Sequence, residues 1–270
     1  MGRIQSWLSA WLAAYLSKQV TRNSIPTATY VQLKGALRPG DVLLVEGDTR
    51  ISIAIKYLTQ STWSHSALYL GDNAGLGQSD QGEPHVLIEA DLERGIRSLP
   101  LSHYRHSHTR ICRPVGLDDD DLQRLTRYAL SRLGNTYDLK NVFDLARYLL
   151  PTPPVPTRYR HRLLTFGSGD PTRAICSTFI AESFQQLRYP ILPLVRIVPA
   201  NDPDCDDCTR EAYRLRNHSL FTPRDFDASP YFQIIKPTLA PGFDYRQLAW
   251  EDRPGSGHPG NPALRKARIR

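Results

Sequence analysis

The chain has 270 residues, 40% of them hydrophobic and 23% charged, which is the composition of a globular protein with room for a core; its 21 prolines point to long irregular connections rather than general disorder. Four cysteines, Cys112, Cys176, Cys205 and Cys208, are too few and too uneven for a disulfide scaffold, so a reducing compartment is the default, and no run of 18 apolar residues is present to span a membrane. The net charge of +7 sits at the two ends, where residues 1–40 hold five bases and no acid and residues 251–270 hold five bases against two acids, so the body between them is close to neutral. That distribution favours an anionic surface such as a membrane over nucleic acid as a partner.

At the N-terminus, Ile4, Trp7, Leu8, Trp11, Leu12, Tyr15 and Leu16 recur at the spacing of one helical face, with Gln5, Ser6, Ser9, Ala10, Ala13, Ser17 and Lys18 largely on the other. A secretory signal would be apolar all round and end at a cleavage site, whereas this segment is two-faced and runs into Lys18, Gln19 and Arg22. Tryptophans on one side with bases at the end suit an interfacial helix, although a helix packed on its own domain has the same pattern.

Leu37-Arg38-Pro39-Gly40-Asp41 reads as a turn, Val42 to Val45 as a short strand, and residues 50–60 as a helix with Ile51, Ala54, Ile55 and Leu58 on one face. Strands are expected over 65–71, 85–90, 95–99 and 109–115, with a Gly- and Asp-rich loop over 72–84. From Asp118 the period becomes helical, with acids in the first turn and Gly134 past the last. A second helix is expected over 139–150, ended by Pro151, then a loop or lid rich in proline, arginine and glycine over 151–172. A helix over 176–188, a strand near 194–198 and a strand over 231–237 complete the ordered part. The chain is expected to be extended from Pro237 and disordered beyond Glu251. The order of elements is α+β, not the βαβ alternation of a parallel sheet.

In "RAICSTFIAESFQQL" (173–187), Ile175, Phe179, Ile180 and Phe184 form an apolar face of a helix that begins with Cys176, Ser177 and Thr178. Unsatisfied N–H groups and the positive end of the helix dipole stabilise an anion there. A thiol so placed ionises more readily, and the same N–H groups can receive an oxyanion. A small buried cysteine would give the same local pattern. Of the eight histidines, His65 stands apart because it begins an apolar strand, where a rigid base can be aimed; the others fall in polar connections or beside loops. If strands 65–71 and 84–90 pair antiparallel with Leu70 opposite Pro84, His65 lies opposite Glu89 on one face, where the carboxylate can orient the imidazole. A slip of one residue would separate them. Trp63, just before His65, is a candidate wall of a substrate cleft.

"LRPGDVLLVEG", "TWSHSALYLGD", "VLIEADLERGIRSLPL", "LGNTYD" and "ICSTFIAESF", together with "TPRDFDASPYF", resemble the circularly permuted NlpC-type papain-like hydrolases, and within them the bacterial YiiX/YebB-like, or lipo-like, proteins. The resemblance covers residues 37–236. It implies a papain-like α+β fold, an antiparallel sheet packed against helices, in which the histidine strand precedes the cysteine helix. It also implies Cys176 as nucleophile, His65 as base, Glu89 as the residue that orients it, and Tyr137 as a residue shaping the site, where a packed core tyrosine is the other reading.

Three segments result: an amphipathic helix and linker over 1–36, a catalytic domain over 37–236, and a basic tail over 237–270. The function expected is that of a cysteine hydrolase or acyltransferase acting on an amide or ester through Cys176, His65 and Glu89. Ser177 and helix N–H groups would face the oxyanion, and no cofactor is needed. Without a recognisable signal peptide the enzyme is expected in the cytoplasm, on the inner face of the membrane. Residues 1–22 and the basic tail would meet that surface, so a lipid or N-acyl substrate is favoured. A peptidase or amidase on cell-wall-type peptides and a non-catalytic membrane-attached binding protein are the alternatives. Cys205 and Cys208 sit in an acidic loop. With a single Cys pair, a loop is expected over a zinc site or a reversible disulfide.

Overall fold

The structure, a computed structural model, describes residues 15, 18–20, 25–91, 94–136, 175–200, 208–238, 244 and 246. The expected helices over 4–16 and 139–150, the 151–172 loop, Tyr137, Cys205 and nearly all of the tail lie outside these residues, apart from Tyr15. The chain falls into two units, Met1–Thr238 and Leu239–Arg270, and all the elements below belong to the first. In the second, Arg246 pairs with Asp244 at 3.6 Å.

A short helix α1 (Tyr30–Ala36) opens the fold. Its start is fixed by a capping box, in which Thr29 accepts from the Gln32 N–H while the Gln32 side chain accepts from the Thr29 N–H. Six strands then build one antiparallel sheet: β1 (Val42–Val45), β2 (His65–Tyr69), β3 (His85–Asp91), β4 (Gly95–Pro100), β5 (Thr109–Pro114) and β8 (Phe232–Ile235), in the order β4-β3-β2-β1-β5-β8. Helix α2 (Arg50–Thr59) links β1 to β2, and α3 (Asp119–Ser131) follows β5 with Asp118 as its N-cap. Helix α4 (Ile175–Gln185) packs on β2 and β3. A second, two-stranded sheet pairs β6 (Leu194–Pro199) with β7 (Thr209–Arg214), and α5 (Pro223–Ala228) leads into β8.

The period-2 alternation of the central strands sorts the core into two layers. One face carries Leu43, Val45, Ala67, Tyr69, Leu87 and Leu99 beneath α1 and a 3-10 turn, Leu101–Tyr104. The other carries Val42, Leu44, Leu68, Ile88 and Ile96 beneath Leu125 and Ala129 of α3 and Phe179, Ile180 and Phe184 of α4. Helix α4 is therefore largely buried, with Thr178, Glu182 and Gln185 as its more accessible side. Gly95, at φ +71°, starts β4 where a Cβ would meet the Asn135 carbonyl oxygen at 2.4 Å; Ile96 N–H donates to that carbonyl at 2.9 Å.

The β2–β3 register differs from the expected one by two residues. Leu68 pairs with Ile88 and Tyr69 with Leu87, and Leu70 N–H donates to Val86, not toward Pro84. Pro84 has no N–H for the ladder and bridges to Gln78 instead, while His85 N–H donates to Gly77. The long connection thus closes on itself before the ladder begins. A shift of two preserves the face, so His65 and Glu89 remain on one side as diagonal neighbours.

Candidate active site

β2 begins at His65, held at the sheet end by its pairing with Val45 on β1. The β2–β3 ladder covers only Leu68 and Tyr69, so the first residues of β2 stand beside β3 rather than bonded to it. Into this gap comes the Glu89 side chain. It is 1% exposed, and its Oε2 lies 2.7 Å from His65 Nε2. With Nε2 engaged by the carboxylate, Nδ1 is the ring nitrogen left for Cys176.

Cys176 lies in the first turn of α4, buried against Ile55 and Ile51 of α2. Burial pushes its thiol up, but the charge and hydrogen bond of His65, with contributions from the Ser66 hydroxyl and N–H, bring it below the ordinary 9.0. His65 answers in kind. Burial pushes its imidazole down, yet Cys176 first and Glu89 second hold it well above 6.5. His65 thus lies between Cys176 and Glu89 and interacts with both.

Glu89 has further partners. Its Oε1 accepts Arg97 Nε at 3.0 Å and Arg97 Nη2 at 2.7 Å, and its Oε2 accepts the Tyr104 hydroxyl as well as His65. Burial raises the Glu89 carboxyl, but His65, Tyr104 and Arg97 outweigh it and keep it far below the ordinary carboxylate range. Arg97 is the cross-strand partner of Glu89 in the β3–β4 ladder. Tyr104 arrives from the 3-10 turn, within the 101–108 segment that its polarity marked only as a connection. Counting back through the short 91–95 turn would have set Arg97 opposite Glu89; nothing in the sequence signals Tyr104.

Ser177 is fully buried, its hydroxyl 3.9 Å from Cys176 Sγ. Ser66 is also fully buried, and among the described residues its hydroxyl has no hydrogen-bond partner of good geometry. Trp63 is not a cleft wall. It is 3% exposed, part of the core beneath α4, and its indole N–H donates to Asp227 at 3.1 Å. Arg110, which also holds Asp227 at 2.6 Å, lies over its ring, and His108 meets the ring edge-on. The residue fastens the approach to His65 rather than lining a cavity. Cys208 is disulfide-bonded, so its thiol is not open to a metal, and among the described residues no cluster of three His, Cys, Asp or Glu could hold one.

His65, on β2 of the antiparallel sheet, is thus met by Cys176 from a helix that comes later in the chain and packs on β2 and β3. The family model described as "Permuted papain-like amidase enzyme, YaeF/YiiX, C92 family" matches residues 36–148, the part of the chain that carries His65, Glu89, Arg97 and Tyr104. No curated protein matches the chain. Among solved structures, one titled "Crystal structure of metalloprotein yiiX from Escherichia coli O157:H7, DUF1105" aligns over 74% of this chain and 97% of its own, with 15% identity and a TM-score of 0.42. No helix among the described residues is long and apolar enough to cross a membrane.

Proposed function

We propose that the chain hydrolyses or transfers an acyl group from an amide or ester, with Cys176 as nucleophile, His65 as general acid and base, and Glu89 as the group that orients His65. The observation that carries this reading is the position of His65 between two buried acids, its Nε2 at 2.7 Å from Glu89 and its ring paired with the Cys176 thiol. In the reaction, the Cys176 thiolate attacks the carbonyl carbon and forms a thioester as the amine or alcohol departs with the proton from His65. N–H groups of the first turn of α4, Ser177 among them, face the oxyanion. Water or another acceptor, deprotonated by His65, then releases the acyl group and restores the thiolate.

The family's description as amidases favours an amide over an ester. The tryptophan-bearing amphipathic sequence at 1–22 and the basic tail favour a lipid or N-acyl substrate at an anionic membrane surface. Incubation with N-acyl amides in anionic vesicles and, in parallel, with cell-wall-type peptides tests this. Release of free acid from the first set, lost in Cys176→Ala, is the expected result. Cleavage confined to the peptides would replace the lipid reading with the peptidase one, and no turnover of either by a chain with a reactive Cys176 would refute both substrate classes.

A further inference from the structure

We propose that Arg97 and Tyr104 are positioning residues of this site: they hold Glu89 as a carboxylate, so that His65 keeps both its protons and Cys176 rests as a thiolate. The inference rests on the catalytic reading of Cys176 and His65 and extends it to two residues outside the three.

One buried carboxylate offers about four acceptor positions. Glu89 receives four contacts: two from Arg97, at 3.0 and 2.7 Å on Oε1, and those of Tyr104 and His65 on Oε2. A carboxylate buried against a histidine alone has a cheaper state open to it, in which the proton moves from imidazolium to carboxylate and both become neutral. His65 would then have no proton to share with a thiolate, and the sulfur would hold its own. Arg97 closes that route, because a guanidinium stays charged at any pH the protein meets and two of its N–H groups converge on Oε1. Tyr104 closes it from the other side, since its hydroxyl donates to Oε2, the oxygen that His65 faces, and so lowers that oxygen's affinity for the proton.

The charges then alternate along one row: Arg97 positive, Glu89 negative, His65 positive, Cys176 negative. The row is neutral in sum, which is what a largely buried site tolerates. The other groups that face it leave that balance nearly intact. Asp91 touches Arg97 at 3.4 Å, at the outer end of the row. His103, edge-on to Tyr104, feels Glu89, Arg97, His65 and Asp91, but desolvation lowers its imidazole and leaves it neutral at neutral pH. On the Cys176 side, the described neighbours include Ser66, Ser177 and the apolar Ile51 and Ile55, none of them charged. Without Arg97 the row would carry one uncompensated negative charge, and protonating Cys176 is the simplest way to lose it.

The experiment is the pH dependence of Cys176 alkylation by iodoacetamide, located by peptide mass mapping, in the full chain and in R97Q, R97K and Y104F. Thermal melts of each are recorded alongside. The expected result is that R97Q raises the alkylation midpoint by at least about one pH unit, which is about ten-fold slower labelling below the midpoint. R97K, which keeps the charge and loses the fork, recovers part of that shift, and Y104F gives a smaller rise. If R97Q does not fold, the comparison of R97K and Y104F with the full chain decides the matter: unchanged midpoints overturn the proposal. A lowered melting temperature with an unmoved midpoint also overturns it, since that is a purely structural role. An unmodified chain whose Cys176 titrates as an ordinary thiol refutes the catalytic reading itself, a result distinct from failure of the Arg97 proposal alone.

Discussion

Two antiparallel hairpins of this chain are built from similar materials and have opposite fates. In β3–β4, Glu89 faces Arg97 across the ladder and receives a tyrosine hydroxyl; in β6–β7, Glu211 faces Ile197 and also receives one, from Tyr213. The first hairpin lies under α4 on one face and the 3-10 turn on the other, and Glu89 is 1% exposed. The second is open on both faces, with Ile197 65% and Tyr213 57% exposed. Pairing chemistry is therefore not what makes a site. Burial lowers the local dielectric, so that each partner of Glu89 shifts its charge state and, through His65, that of Cys176. Around Glu211, water does most of that work.

The largest effects should separate the hairpins most sharply. Cys176→Ala and His65→Ala are each expected to lower turnover of the amide substrate by about four orders of magnitude, whereas Glu211→Ala leaves turnover unchanged; steady-state kinetics on the three variants checks this. Next in size is stability. Glu89→Ala removes the buried carboxylate shared by Arg97, Tyr104 and His65 and is expected to cost about 3–5 kcal/mol in urea unfolding, while Glu211→Ala leaves the urea midpoint where it was.

A smaller effect is the pH dependence of stability. The Glu89 carboxyl is depressed in the folded chain, so its contribution is complete above the ordinary 4.5 and declines as pH falls below it. His65 is raised, so its contribution is complete below 6.5 and is lost as pH rises through its elevated folded value. Glu89→Gln should therefore flatten the acid limb of the stability curve, and His65→Ala the alkaline one. The smallest effect is at Ser66, whose buried hydroxyl contributes to holding the Cys176 thiol down. Ser66→Ala is expected to raise the Cys176 alkylation midpoint slightly, by less than Arg97→Gln does.

The fold class was legible because the hydrophobic period changes where the elements change. The short apolar runs within 65–69 and 85–90 and the helical spacing from Asp118 are strong local signals, and both match the structure. The partnership of His65 and Glu89 was legible only in parity. Their shared face depends on an even offset, which survived a register error of two; the error itself came from Pro84, whose missing N–H a residue count does not weigh. Trp63 was misassigned because an aromatic beside a reactive histidine reads as a cleft wall, and its anchor, Asp227, lies 164 residues away. The same distance problem hid Tyr104: a 3-10 turn is too short to leave a period, and only the folded chain brings its hydroxyl to Glu89. Helices α1 and α5 were missed for the same reason of length.

The account stands on the coupling of His65 to Cys176. The most direct test is the pH profile of Cys176 alkylation in the full chain and in His65→Ala. A midpoint below the ordinary thiol value of 9.0, moved upward when His65 is removed, is the predicted result. A midpoint at or above 9.0 in the unmodified chain, or one that His65→Ala leaves in place, would contradict it.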